Sequence, residues 1–86
     1  MTRTKWFLHQ GRALEVRERR VMTSYQIWIY EDGRPISLHS TVRLVDVTAA
    51  LAVGVDLLNR AMADAVADVL LGRFAVDEPS SLAAAE

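Results

Sequence analysis

The chain has 86 residues, of which 51% are hydrophobic and 24% are charged, and its formal net charge is −1. This length fits one globular domain and leaves no room for a second core. The absence of cysteine excludes disulfides and thiolate metal cages as sources of stability. Because a domain of this size buries only about 60% of the surface of its unfolded chain, we expect oligomerisation to add stability.

The charges divide unevenly between the two halves of the chain. Residues 1–43 carry eight basic and four acidic side chains, whereas residues 44–86 carry two basic and seven acidic ones. This asymmetry fits an anionic partner for the basic half, and it fits equally an attraction between the two halves, within one molecule or between molecules.

No segment has the features of an export signal or a membrane span. The apolar run near the N-terminus is only Trp6-Phe7-Leu8, which is too short for a signal peptide. The most apolar stretch, residues 47–55, is also too short to cross a bilayer, which requires about 20 residues. The sequence therefore predicts a cytoplasmic protein.

The first predicted strand covers about residues 6–18. Apolar and polar residues alternate from Arg12 to Glu18, as in a half-buried strand. Residues 6–9 extend this strand backwards, and Gly11 is interpreted as a bulge or bend. An alternative is that Trp6-Phe7-Leu8 folds over the outward face of the sheet and covers it.

The next two strands are predicted at about residues 24–31 and 34–43, joined by Asp32-Gly33. An Asp-Gly pair suits the two positive-φ positions of a type I′ hairpin turn. With a two-residue loop, one sheet face carries the pairs Ile29 with Ile36, Ile27 with Leu38, and Tyr25 with Ser40. The other face carries Tyr30 with Pro35, Trp28 with Ser37, and Gln26 with His39.

From Asp46 the hydrophobic period changes to about 3.6 residues, which predicts one long helix over about residues 46–72. Its apolar stripe is Leu51, Val55, Leu58, Met62, Ala65 and Val69. Asp46 or Thr48 is suited to begin the helix and Gly72 to end it. Residues 75–86 have no periodic face and are predicted to be a disordered tail.

These elements define an α+β domain over residues 1–74, with an antiparallel β-meander of three or four strands and one C-terminal helix packed on one sheet face. No phosphate loop or catalytic motif is present, and neither His9 nor His39 has an acidic or cysteine partner at ligand spacing. The sequence therefore predicts a non-enzymatic protein with no catalytic residue, cofactor or metal site.

The candidate interaction face is the side of the sheet that the helix leaves uncovered. Its members are Arg17, Gln26, Trp28, Tyr30 and His39. Tyrosine, tryptophan and arginine are enriched at protein interfaces, which favours a module that forms a homodimer or binds a protein partner. Aromatic rings beside arginines also suit single-stranded nucleic acid, because bases stack on rings while cations neutralise phosphates; this is the alternative function.

Two resemblances concern the arrangement as a whole. The positions Gly11, Leu14, Val16, Tyr25, Ile27, Ile29, Gly33 and Ile36, followed by an alanine-rich helix, resemble small uncharacterised bacterial β-β-β-α proteins. The element order is also distantly similar to double-stranded-RNA-binding domains. That family begins with a helix and has lysines at the start of its last helix, where this chain has Asp46-Val47-Thr48-Ala49. The use of nine arginines and one lysine is typical of high-GC bacteria.

Overall fold

The computed structural model describes residues 3–77, which form an antiparallel sheet followed by two helices. The elements are β1 (Thr4–His9), β2 (Arg12–Val21), β3 (Ser24–Glu31), β4 (Arg34–Arg43), α1 (Leu44–Ala52) and α2 (Leu57–Leu70). The sheet order is β1-β2-β3-β4, so every strand pairs with its neighbour in sequence. The predicted α+β class and β-meander are confirmed, and β3 and β4 lie where they were expected.

The predicted strand over residues 6–18 is a hairpin rather than one strand. Gln10 and Gly11 have φ values of 52° and 76° and form a two-residue turn, so that His9 lies opposite Arg12. Two consecutive positive φ values are characteristic of a type I′ turn, which reverses the chain instead of bending it. Residues 4–9 therefore add a fourth strand to the sheet, and they do not fold over its face.

The Asp32-Gly33 turn is confirmed, but the predicted register holds only beside it. Tyr30 lies opposite Pro35 as expected, and the register then shifts by one residue between Ile29 and Tyr30 and again between Ile27 and Trp28. Each shift is a β-bulge, in which two residues of one strand oppose a single residue of its partner. The additional residues on β4 are Ile36 and His39.

The bulges change which side chains of β4 point to the helices. Ile36 and Ser37 are consecutive and both buried, at 7% and 4% exposure, because a bulge interrupts the alternation of side chains. Leu38 now lies opposite Trp28 instead of Ile27 and is 42% exposed. The predictions that Leu38 belongs to the core face and His39 to the opposite face are therefore wrong.

The predicted single helix is divided into α1 and α2. Gly54 has a φ of 77°, which a right-handed helix does not accommodate, and the carboxylate of Asp56 then accepts a hydrogen bond from the Asn59 N–H to begin α2. Leu51 is 59% exposed and does not belong to the apolar stripe. A break here allows α2 to turn back and pack against the sheet.

The core lies between one sheet face, here called the inner face, and the helices. Its buried members are Leu14, Val16, Ile27, Ile29, Ile36, Val47, Leu58, Met62, Ala65 and Val69. Ion pairs also join the basic strand half to the acidic helix half, as Arg3 does with Asp56. Residues 75–77 still contact the sheet, since the Asp77 N–H donates to Ser37 Oγ at 2.9 Å. The rest of the predicted tail, residues 78–86, lies outside the described residues.

Candidate interaction surface on the outer sheet face

The side of the sheet turned away from α2 is here called the outer face. Strand alternation and the register place on it Trp6, Leu8, Glu15, Arg17, Arg19, Gln26, Trp28, Tyr30, Pro35, Leu38, Thr41 and Arg43. Both helices bury their side chains in the inner-face core. Within residues 3–77, the outer face is therefore not covered by a helix.

Large apolar side chains are exposed on the outer face. Trp6, Leu8 and Leu38 are 67%, 72% and 42% exposed. Leu38 lies opposite the half-buried Trp28 of β3, whereas Trp6 is separated from the half-buried Tyr30 by Glu15 of β2. Single exposed apolar residues are ordinary, but several large ones on one face are characteristic of a binding surface.

A carboxylate is buried at the centre of this face. Glu15 is only 3% exposed, and its two oxygens lie 2.8 Å from the Nε and NH2 atoms of Arg17. The guanidinium of Arg17 also stacks over the Tyr30 ring, 4.4 Å from its centroid. The hydrogen bond to Glu15 raises the pKa of Arg17 further above its usual value, and the two contacts with the carboxylate orient the guanidinium.

Trp28 is held in place by its neighbour on the same strand. Its indole N–H donates to Gln26 Oε1 at 2.8 Å. Because the polar atom of the indole is already hydrogen-bonded, the ring offers mainly apolar contact to a partner. Four of the predicted site residues, Arg17, Gln26, Trp28 and Tyr30, therefore share the outer face.

His39, the fifth predicted site residue, lies on the inner side instead. Its Nε2 lies 2.8 Å from Asp68 Oδ2 on α2, and its Nδ1 lies 3.0 Å from Ser40 Oγ. The edge of its ring packs against Phe74, with centroids 5.0 Å apart. The bulge between Ile27 and Trp28 is the cause, since it turns His39 toward α2.

The His39 contact joins β4 to α2 by a hydrogen bond as well as by packing. The hydrogen bond from His39 lowers the pKa of Asp68, and Arg73, which binds the other carboxylate oxygen at 2.9 Å, adds to this effect. Only 11% of the His39 side chain is exposed. We interpret Ser40, His39 and Asp68 as a structural chain of hydrogen bonds, because the imidazole is enclosed between β4, α2 and Phe74.

Sequence reasoning missed three members of the outer face: Trp6, Leu8 and Leu38. To place Trp6 and Leu8 on the outer face, Gln10-Gly11 must be interpreted as a hairpin turn. The alternation of residues 4–9 about Phe7 supports that interpretation. Leu38 required knowledge of the two bulges, for which the sequence has no local signal.

Among residues 3–77, no group of three or more histidine, cysteine, aspartate or glutamate side chains could hold a metal ion. In the same part of the chain, neither helix has the length and hydropathy needed to cross a membrane.

No protein-family model, no curated protein and no solved structure matches this chain. The resemblances to small bacterial sheet-and-helix proteins and to double-stranded-RNA-binding domains therefore stay predictions.

Proposed function

We propose that this protein is a small interaction module that self-associates through exposed apolar side chains of the outer face. The observation that carries the proposal is the exposure of Trp6, Leu8 and Leu38 on the same sheet face as Trp28 and Tyr30, a face that neither helix covers. Water contact with so much apolar surface is unfavourable, by about 25 cal/mol for each Å². A second copy of the chain that contacts Trp6 and Leu8 removes part of this surface from water.

The composition of the face supports the same proposal. Tryptophan, tyrosine and arginine are enriched in the energetically important parts of interfaces, and Trp6, Trp28, Tyr30 and Arg17 all lie here. The carboxylate of Glu15, which also lies on this face, is already paired with the guanidinium of Arg17. The face therefore brings no unpaired negative charge into a contact.

Size-exclusion chromatography with light scattering, over a wide range of protein concentration, tests this proposal. We expect a concentration-dependent dimer. Trp6→Ser should weaken dimer formation at least tenfold, because Trp6 is 67% exposed on the outer face. Met22→Ser is the matched control, since Met22 is 87% exposed but lies in the turn between β2 and β3. A monomer at the highest attainable concentration would refute self-association.

Single-stranded nucleic-acid binding is the second candidate, and the cations of the outer face favour it. Arg17 is stacked over Tyr30, and Arg19 and Arg43 are exposed on the same side of the sheet. Stacking of bases on aromatic side chains is worth about 1–3 kcal/mol per base, and arginines beside the rings neutralise phosphates.

Fluorescence of Trp28, isolated in a Trp6→Phe background, tests the second candidate. A single-stranded oligonucleotide should quench the indole at low salt, and added salt should reverse this because counterions are released on binding. Arg19→Gln should weaken the response. Arg60→Gln is the matched control, because Arg60 is exposed on α2. Unchanged fluorescence at low salt would exclude this function.

A further inference from the structure

The two edge strands of the sheet, β1 and β4, differ in whether an additional strand can pair with them. The free edge of β4 contains Pro35, which lacks an N–H, and is interrupted by bulges at Ile36 and His39. Proline and bulges are the devices by which sheet edges avoid pairing with another chain. An incoming strand cannot form a regular ladder there.

The free edge of β1 has neither device. Its six residues, Thr4–His9, pair with β2 in one unbroken register and contain no proline. Among residues 3–77, β2 is its only strand neighbour. Its backbone groups on the other side are therefore available for pairing.

The turn determines which backbone groups of β1 point outward. In a hairpin with a two-residue loop, the residues that flank the loop form a hydrogen-bonded pair, here His9 with Arg12. Alternation then directs the N–H and C=O groups of Lys5, Phe7 and His9 toward β2. Those of Thr4, Trp6 and Leu8 point to the free edge.

We propose that the self-association described above occurs through this edge: β1 of a second copy pairs antiparallel with β1, with Trp6 opposite Trp6 of the second copy. This inference rests on the proposed self-association and places its contact at the β1 edge, so that Trp6 and Leu8 are the outer-face side chains next to the second copy. In this register Thr4 lies opposite Leu8 of the second copy and Leu8 opposite its Thr4. Each of these pairs exchanges two backbone hydrogen bonds, so every outward group of Thr4, Trp6 and Leu8 is satisfied. The two sheets become one, and the two outer faces become continuous.

The side chains are compatible with this register. The two exposed Trp6 rings become direct cross-strand neighbours, and aromatic pairs at such positions stabilise sheets. Lys5, on the inner side, lies opposite Phe7 of the second copy, where its ammonium meets an aromatic ring instead of a like charge. A register shifted by two residues, with Phe7 opposite Phe7, would leave the outward groups of Thr4 without a partner in the strand Thr4–His9.

Amide hydrogen exchange, followed by NMR on the full chain, tests the geometry directly. The amides of Trp6 and Leu8 should exchange slowly at high protein concentration and at least tenfold faster on dilution, because their only partners belong to the second copy. The amide of Phe7 should stay protected throughout, since it bonds to β2. Protection of Trp6 and Leu8 that does not depend on concentration would overturn the inference.

Three variants give an independent test by light scattering. Leu8→Pro removes one outward N–H and should weaken the dimer at least tenfold, whereas Leu8→Thr removes the same apolar side chain, keeps the N–H, and should retain more of the affinity. Leu38→Glu introduces a charge on the outer face at β4, at the far edge of the sheet from β1, and should leave the dimer unchanged. Circular dichroism checks that Leu8→Pro is folded, and the exchange experiment on the unmodified chain does not depend on that variant.

The outcomes separate the two proposals. A dimer that Leu38→Glu disrupts and Leu8→Pro does not is a face-to-face dimer, which overturns the edge inference and leaves self-association intact. A monomer at every concentration overturns both.

Discussion

The two faces of the sheet are built by the same strands, yet one is a core and the other is exposed. On the inner face Leu14, Ile27 and Ile29 are completely buried, whereas on the outer face Trp6 and Leu8 are 67% and 72% exposed. Both faces carry large hydrophobic side chains, although the outer face also carries charged ones: Glu15, Arg17, Arg19 and Arg43. What distinguishes them is the position of α2, because α1 and α2 bury side chains only against the inner face in the part of the chain described.

The difference shows that hydrophobic residues on one face of a strand predict a surface that is buried or in contact. They do not predict whether the same chain or another molecule provides that contact. The inner face obtains its contact from the same chain. The outer face carries exposed aromatic and apolar side chains and is not covered by a helix within residues 3–77, which is why we propose that Trp6 and Leu8 contact a second copy.

The largest predicted effect is a difference in the free energy of unfolding between truncations of a large side chain on the inner face and on the outer face. Ile29→Ala should lower the free energy of unfolding by about 2–5 kcal/mol, because it leaves a cavity beneath α2. Leu38→Ala removes a side chain that is 42% exposed and should cost less than about 1 kcal/mol. Urea unfolding at low protein concentration measures both. Equal losses would mean that the outer face is as well packed as the inner one.

Substitution of Gly54, which lies at the break between α1 and α2, should destabilise the folded protein. Gly54→Ala should cost about 1–2 kcal/mol, since an L-residue is strained in the left-handed region. No atom lies within 4 Å of the position an added Cβ would take, so the cost is one of backbone conformation alone. Gly54→Asn, which tolerates this conformation better, should recover part of the loss in thermal unfolding. An unchanged melting temperature for Gly54→Ala would contradict the break.

Because Arg17 pairs with the buried carboxylate of Glu15, it should contribute more to the stability of the folded protein than other surface arginines do. Arg17→Ala leaves Glu15 buried without its charged partner, which destabilises the folded state. The melting temperature should therefore fall measurably, and it should stay unchanged in Arg19→Ala, at a neighbouring exposed position on the same face. Equal effects would show that Glu15 does not depend on Arg17.

The smallest effect is expected from the His39 contact between β4 and α2, and it depends on pH. The pKa of Asp68 is lower in the folded protein than its ordinary value of 3.8, so the folded state binds a proton less readily than the unfolded state. The resulting stabilisation is complete above about pH 4 and is lost as pH falls through the lowered value. His39→Asn should reduce the melting temperature slightly near pH 6, and the difference from the unmodified chain should shrink below pH 4. A constant difference would indicate that the loss is one of packing against Phe74.

Much of the sheet was predictable because its signals are local. Asp32-Gly33 specifies its own turn, and the alternation in β2 and β3 places Val16 and Ile29 on the inner face and Trp28 and Tyr30 on the outer face, as the structure confirms. Gln10-Gly11 contains the same kind of turn with a less characteristic first residue. The sequence predicts a bulge or bend there, which leaves the number of strands at three or four.

The candidate site was predictable only in part. Arg17, Gln26, Trp28 and Tyr30 lie together because regular alternation holds along β2 and β3. His39 lies on the inner side and Leu38 on the outer face, the reverse of the prediction, because the side chains of β4 do not alternate regularly. A bulge is stabilised by the elements packed against the strand, and in β4 those include α1, α2, Phe74 and the segment that ends at Asp77.

The sequence by itself determined the α+β class, the order of the strands, the central turn and the identity of most core residues, because periodicity and turn chemistry act over a few residues. Only the tertiary structure decided the two bulges of β4, the packing of α2 against the sheet after the break at Gly54, and which strand edges stay free. These features depend on contacts between segments distant in the chain, and in β4 a shift of one residue exchanges a core side chain for a surface one.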